Sequence, residues 1–138
     1  MPIIGHKNIK IVVSLALIND ADEILISKRP KNKYLAGFWE FPGGKVEKNE
    51  TPEEAIIREL KEEINIDVSA ACLAPLSFTE KNYEKYYVVV LLYICRKWEG
   101  HMKPMENQEL EWIFPTDIAD FKVLPADKSF FATLRDLI

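Results

Sequence analysis

Apolar positions follow two different spacings along the chain, which predicts a mixture of strands and helices. Residues 9–18 form a β-rich run, and a polar turn at residues 19–22 leads to a second strand, 23–28, that is predicted to pair with the first. Further strands are expected around residues 66–78, 86–95 and 110–114, with a polar turn at 80–85. This mixture predicts an α+β fold in which a sheet is sandwiched between helices.

Two segments have helical spacing. Thr51 is placed as an N-cap, Pro52 occupies the first helical position, and Glu54 closes a capping box, so the first helix is predicted over residues 52–64. A final helix is predicted over residues 125–138. The core side of that final helix is predicted to carry Phe130, Phe131, Leu134 and Leu137.

The first helix gathers glutamates on one side. Glu59, Glu62 and Glu63 fall within an arc roughly 100° wide beside an apolar arc. A Glu-rich helix is commonly a solvated face, but these three residues repel one another and lie far from the helix N-terminus, where negative charge is favoured. Such a cluster suits a hard cation, Mg²⁺ or Mn²⁺. The loop at residues 41–44 offers a backbone carbonyl to the same ion.

Length and charge narrow the class of protein. With 138 residues, 48% of them hydrophobic, the chain is expected to fold as one domain over residues 1–138. A net charge of −4 argues against nucleic-acid polymers as partners, because these bind through a basic footprint. Residues 11–18 are too short an apolar run to span a bilayer. We therefore expect a cytoplasmic protein without a membrane partner, either a monomer or a weak dimer.

The spacing of residues 44–63 resembles the Nudix box, the loop–helix signature of enzymes that hydrolyse nucleoside diphosphates linked to another group. The residues that carry this resemblance are Gly44, Glu50, Arg58, Glu59, Glu62 and Glu63. One position departs from the pattern, since Asn65 stands where Gly normally follows the last Glu by two. Asn tolerates the left-handed conformation that a helix C-terminus needs there. The resemblance covers nearly the whole chain and points to the MutT type, the 8-oxo-dGTP diphosphatases that sanitise the nucleotide pool.

The resemblance implies an α/β/α sandwich of the Nudix type, with a mixed sheet between helices. It also implies a set of metal-binding groups, namely the Gly43 carbonyl, Glu59, Glu62, Glu63 and Glu106. By the same likeness, Arg29 and Lys45 hold phosphates, and Glu50 and Arg58 orient the ligand carboxylates. Glu59, Glu62 and Glu106 are the candidate catalytic bases, and the sequence does not choose among them.

Asp127 is the candidate base-binding residue. The best-known MutT proteins have Asn at this position, where the amide accepts from N7–H of 8-oxoguanine and donates to O6. An ionised Asp only accepts hydrogen bonds, so it faces O6 unfavourably unless protonated, and it suits the exocyclic amine of cytosine. Residues 124–127 also resemble cytidine triphosphate pyrophosphohydrolases. An alternative interpretation makes Asp127 the N-cap of the final helix.

The expected activity is Mg²⁺-dependent hydrolysis of a nucleoside triphosphate, 8-oxo-dGTP above others, to the monophosphate and pyrophosphate. A CTP or 5-methyl-dCTP pyrophosphohydrolase is the alternative enzyme. A non-catalytic domain that reads an oxidised base is the alternative from another class, but such domains tend to lose the box carboxylates that this chain retains.

Overall fold

Seven strands form two sheets in residues 8–138, the part of the chain that the computed structural model describes. The first seven residues of the predicted domain lie outside this part. The strands are β1 (Asn8–Leu17), β2 (Ile24–Lys28), β3 (Trp39–Glu40), β4 (Gly43–Lys45), β5 (Ala74–Asn82), β6 (Tyr86–Cys95) and β7 (Glu109–Ile113). The helices are α1 (Pro52–Ile64) and α2 (Pro125–Leu137), with short 3-10 helices at Ala70–Cys72 and Pro115–Asp120.

The larger sheet has the order β4-β1-β6-β5 and is mixed. Strand β1 runs parallel to β6 along its whole length, while β4 and β5 pair antiparallel with β1 and β6. The smaller sheet, β3-β2-β7, is antiparallel. The α+β class and the sandwich expected from the sequence are confirmed, because apolar residues on the two faces of β1 enter two separate clusters, one containing residues of α1 and the other residues of α2.

The predicted pairing of β1 with β2 is wrong. An isolated bridge between Ile18 and Ile24 joins their ends, and β2 otherwise pairs with β3 and β7. The edges of β1 are already taken by β4 and β6, so β2 has no edge of β1 to bind. The Asn19 side chain accepts hydrogen bonds from the backbone of Ala21 and Glu23, which fixes the turn between the strands.

Other sequence-based boundaries hold in part. Strands β6 and β7 lie within a residue of their predicted limits, whereas β5 begins only at Ala74 because a 3-10 helix precedes it. Strand β5 then runs to Asn82, so it takes in part of the predicted turn. The very short strands β3 and β4 were not predicted, because two or three residues carry no periodic pattern.

Helix α1 begins and ends where the sequence predicts. The Thr51 hydroxyl accepts from the Glu54 amide at 3.1 Å, and the Glu54 carboxylate accepts from the Thr51 amide at 2.8 Å, which completes the capping box. Asn65 ends the helix in the left-handed conformation with φ 62°, and its amide donates to the Lys61 carbonyl. Local side-chain chemistry therefore determines both ends of this helix.

Each helix covers one face of the larger sheet. Helix α1 contributes the fully buried Ile56, Leu60 and Ile64 to one core cluster. Helix α2 contributes its aromatic residues and Leu134 to the other cluster. Leu137 was predicted on the core side but is 48% exposed, because it lies almost one turn beyond the last buried residue of the helix. In residues 8–138 no helix combines the length and the apolar character that crossing a membrane requires.

Truncating a buried residue of α1 should destabilise the fold. Leu60→Ala is expected to lower the free energy of unfolding by about 2–5 kcal/mol, because Leu60 is fully buried and the lost atoms leave a cavity. Ile57→Ala, on the half-buried flank of the same helix, should cost clearly less. Urea unfolding monitored by circular dichroism measures both changes, and equal losses would contradict this account of how α1 packs.

Candidate active site

Two glycines let β4 pack closely against β1 on one side and against α1 on the other. Gly43 has φ +152°, and a Cβ atom there would collide with the carbonyl oxygen of Val13 on β1. A Cβ atom on Gly44 would lie 2.5 Å from Cδ of Glu59. The Gly43 amide donates to Oε2 of Glu63 at 2.9 Å. The missing side chain of Gly43 therefore makes room for the backbone of β1, and that of Gly44 makes room for the Glu59 carboxylate of α1.

Glu63 is buried beside other acidic groups. Burial raises the pKa of its carboxyl to about 9, and the nearby charges of Glu59, Glu106 and Glu40 act in the same direction. The Gly43 amide lowers this pKa but does not offset the burial. Carboxyls on α1, on the loop before β7 and on β3 therefore affect one another electrostatically at this site.

Glu59 lies between a cation and two anions. Burial is the largest influence on its carboxyl and raises the pKa, with smaller contributions in the same direction from Glu62 and Glu106. Arg58 opposes them, since its Nη1 donates to Oε1 of Glu59 at 2.7 Å. One guanidinium therefore compensates only part of the negative charge in this cluster.

Arg58 links α1 to the loop that precedes it. Its Nε and Nη2 donate to the two oxygens of Glu50 at 2.7 and 3.0 Å, and Nη2 also donates to the carbonyl of Lys45 at 3.0 Å. The hydrogen bond from Arg58 is the main reason that the pKa of Glu50 falls to about 2. The two residues predicted to orient ligand carboxylates therefore form a bidentate pair.

All five groups expected to bind metal line one cleft of about 810 Å³, namely Gly43, Glu59, Glu62, Glu63 and Glu106. In residues 8–138, no three Asp, Glu, His or Cys side chains already surround a common ion position. The oxygens of Glu59 and Glu63 accept instead from protein donors. The donor set is made of oxygen and carries excess negative charge, so it fits a hard divalent cation after side-chain rotation.

The predicted phosphate-binding residues line the same cleft, in different settings. Arg29 donates to both carboxylate oxygens of Glu40, at 2.9 and 3.1 Å, and to the carbonyl of Tyr34 at 2.9 Å. Lys45 has an exposed side chain at the end of β4, beside the carboxylates of α1. Arg29 is therefore already paired with a carboxylate, which the sequence did not predict.

Asp127 is not the N-cap of the final helix. Leu124 holds that position without a side-chain cap, and Asp127 lies in the first turn of α2. Its carboxylate is 5% exposed and accepts from the Phe41 amide at 3.2 Å. The pKa of Asp127 is raised to about 7, chiefly by burial and to a smaller extent by Glu40, while the Phe41 amide and Arg29 act in the opposite direction.

Comparison with known proteins decides the family. The family model described as the NUDIX domain matches residues 9–134. The chain belongs to the Nudix family. An 8-oxo-dGTP diphosphatase of Escherichia coli is 32% identical over 95% of this chain and 99% of that protein. A CTP pyrophosphohydrolase of the same organism is 30% identical over 85% of each chain. A MutT structure from work on Aliivibrio salmonicida and Vibrio cholerae is 30% identical, with a TM-score of 0.79 over 95% of this chain and 100% of that one.

The family and the enzyme class expected from the box residues are confirmed, so the protein is a Nudix hydrolase that acts on a nucleotide. Nudix hydrolases generally need a divalent metal ion, and the carboxylates described above are oxygen donors of the kind that bind such ions. The roles of individual residues remain predictions.

Sequence reasoning missed two polar residues of the Nudix cleft. Glu40 pairs with Arg29, and no local motif marks it in the sequence. Gln108 is 7% exposed, and its side-chain amide bonds to the backbone of Glu63 and Glu106. The sequence could have pointed to Gln108 because it follows the predicted metal ligand Glu106 by only two residues. Among the aromatic side chains, Tyr83 lines the cleft, whereas the Trp39 ring packs edge-to-face against Phe121.

The ion pair between Arg58 and Glu50 should stabilise the fold at neutral pH and lose this effect in acid. Because the folded pKa of Glu50, about 2, lies below its ordinary value of 4.5, its stabilising effect is complete above pH 4.5 and is lost as the pH falls toward 2. E50Q should therefore be less stable than the wild type at neutral pH, and the difference should shrink through this window. Urea midpoints at several pH values measure the difference, and a constant gap would contradict the assignment.

Proposed function

We propose that this Nudix hydrolase converts a nucleoside triphosphate to the monophosphate and pyrophosphate, with Mg²⁺ as its metal and 8-oxo-dGTP as its main substrate. In this role it removes an oxidised nucleotide before DNA synthesis can use it. The observation that carries the proposal is one cleft that holds the acidic cluster of α1 together with the buried Asp127. A relative named 8-oxo-dGTP diphosphatase, similar over 95% of this chain, supports the choice of substrate.

When bound, Mg²⁺, or Mn²⁺ in its place, would supply positive charge for the phosphates and lower the pKa of the attacking water. The proposed ligands are the Gly43 carbonyl and the carboxylates of Glu59, Glu62, Glu63 and Glu106. Their positions fit this role because burial and, to a smaller extent, neighbouring carboxylates raise the pKa of Glu63, and a cation would offset both effects. In this scheme Arg58 holds Glu59 in place, and Glu50 in turn holds Arg58.

The chain's own groups then guide the reaction. Glu59, Glu62 or Glu106 accepts a proton from the attacking water, which by family resemblance reaches the β-phosphorus. The bond from that phosphorus to the oxygen bridging it to the α-phosphate breaks, and the products are the nucleoside monophosphate and pyrophosphate. Lys45 and Arg29 stabilise the charge on the phosphates. For Arg29 this requires the guanidinium to share its donors between Glu40 and the substrate.

Asp127 is the proposed reader of the base. Because its pKa is about 7, the protonated form is available at neutral pH and can donate to O6 of 8-oxoguanine. The ionised form favours the exocyclic amine of cytosine instead. A cytidine triphosphate substrate is therefore the second candidate, supported by the similarity to the CTP pyrophosphohydrolase. The net charge of −4 supports free nucleotides over nucleic-acid polymers as partners, and we propose action as a monomer or weak dimer.

Replacing Glu59 should remove activity without unfolding the protein. E59Q is expected to lower kcat for 8-oxo-dGTP by about a hundredfold or more, because the amide binds a divalent ion poorly and provides no base. E53Q on the same helix, away from the cleft, is the matched control and should retain turnover. Pyrophosphate release with and without Mg²⁺ gives the rates. Near wild-type turnover by E59Q would reject its metal role.

The base preference should depend on the proton of Asp127. In a panel of 8-oxo-dGTP, dGTP, CTP and 5-methyl-dCTP, the kcat/KM ratio of 8-oxo-dGTP to CTP should fall as the pH rises through about 7. The D127N variant should favour 8-oxo-dGTP at every pH, because its amide always donates. Cytidine preference throughout would support the second candidate substrate. A ratio that neither pH nor D127N changes would rule out Asp127 as the reader, and no release from any substrate would favour a non-catalytic domain.

A further inference from the structure

The loop between β6 and β7 is bound to the C-terminal end of α1. Carbonyl groups in the last turn of a helix lack partners inside the helix. Here the loop supplies partners from its backbone. The Lys103 amide donates to the Ile64 carbonyl at 3.1 Å, and the Met105 amide donates to the Glu63 carbonyl at 2.9 Å. The segment that carries Glu106 is therefore attached to the same turn of α1 that carries Glu63.

Gln108 adds a bridge between the backbones of two proposed metal ligands. Its Nε2 donates to the Glu63 carbonyl at 2.8 Å, and its Oε1 accepts from the Glu106 amide at 2.8 Å. Asn107, which lies between Glu106 and Gln108 in the sequence, adopts a left-handed conformation with φ 61°, so the chain turns sharply beside Glu106. The Gln108 side chain is buried and lines the cleft, where such hydrogen bonds are shielded from water.

We infer that Gln108 is a positioning residue that sets the place of the Glu106 carboxylate relative to the carboxylates of α1. This inference rests on the proposed function, in which Glu106 serves the metal and the reaction. Only a primary amide of this length fits, because one end must donate and the other accept across the same gap. A carboxylate cannot donate to Glu63, and the side chain of Asn is one methylene too short to span both partners.

The first test removes the bridge. Q108L should lower kcat by about ten- to a hundredfold, the usual effect of losing a group that holds a metal ligand, with KM for the nucleotide nearly unchanged. It should also weaken Mn²⁺ binding, measured by titration calorimetry without nucleotide. Hydrogen–deuterium exchange at the Glu106 amide should become faster. Q108N keeps the polarity of the site and should show the same three effects if Q108L does not fold.

A double-mutant cycle separates positioning from general stability. If Gln108 acts through Glu106, Q108L should cost little further activity in the E106Q background. N65G is the matched control, because it keeps the left-handed helix end but removes the hydrogen bond from Asn65 to the His101 carbonyl elsewhere in the same loop. Its kcat should stay within about twofold of the wild type.

Equal losses in both backgrounds, an equal loss in N65G, or wild-type kcat and Mn²⁺ affinity in both Gln108 variants would overturn the inference. Failure of the proposed function gives a different result. If E59Q remains fully active, the proposed function is wrong, whereas full activity of Q108L beside an inactive E59Q removes only the role of Gln108. Faster exchange at the Glu106 amide in Q108L would support the hydrogen bond from this amide to Gln108, whereas kcat and Mn²⁺ affinity decide whether the bond positions Glu106.

Discussion

The close contact between the glycines of β4 and helix α1 is the constraint on which the cleft depends. Because Gly44 has no side chain, the carboxylate of Glu59 lies against it, and the carboxylate of Glu63 accepts from the amide of Gly43, whose own missing side chain leaves room for β1. This closeness also removes water from the carboxylates, and burial raises the pKa of both. The same packing that builds the helix–sheet interface thus buries carboxyl groups whose ionised forms a bound cation would stabilise.

Arg29 lines this cleft and Arg58 contacts its lining residue Glu59, and each arginine already has a carboxylate partner. Arg58 pairs with Glu50 and Glu59, and Arg29 pairs with Glu40. Their positive charges are therefore largely used within the protein, and the acidic cluster keeps a negative excess. In the proposed function, a divalent ion offsets this excess and lets an anionic nucleotide bind beside the carboxylates.

The sequence predicts features that depend on local chemistry and misses those that depend on distant partners. The ends of α1 follow from Thr51, Glu54 and Asn65, whose hydrogen bonds span a few residues, so they were predictable. The pairing of β2 was not, because it depends on which edges of β1 other strands already occupy. Within the site, the box carboxylates were visible as a pattern, whereas the bridge formed by Gln108 exists only after α1 and the loop before β7 meet.

Thermal unfolding with and without Mg²⁺ shows whether the carboxylates at β4 and α1 bind the ion, because an ion that binds only the folded state stabilises it by an amount that grows with the logarithm of the ion concentration relative to Kd. Millimolar Mg²⁺ should raise Tm of the wild type and should raise it much less in an E59Q/E63Q double variant. A shift of the same size in both proteins, or none in the wild type, would contradict the claim that the carboxylates gathered by β4 and α1 bind the metal.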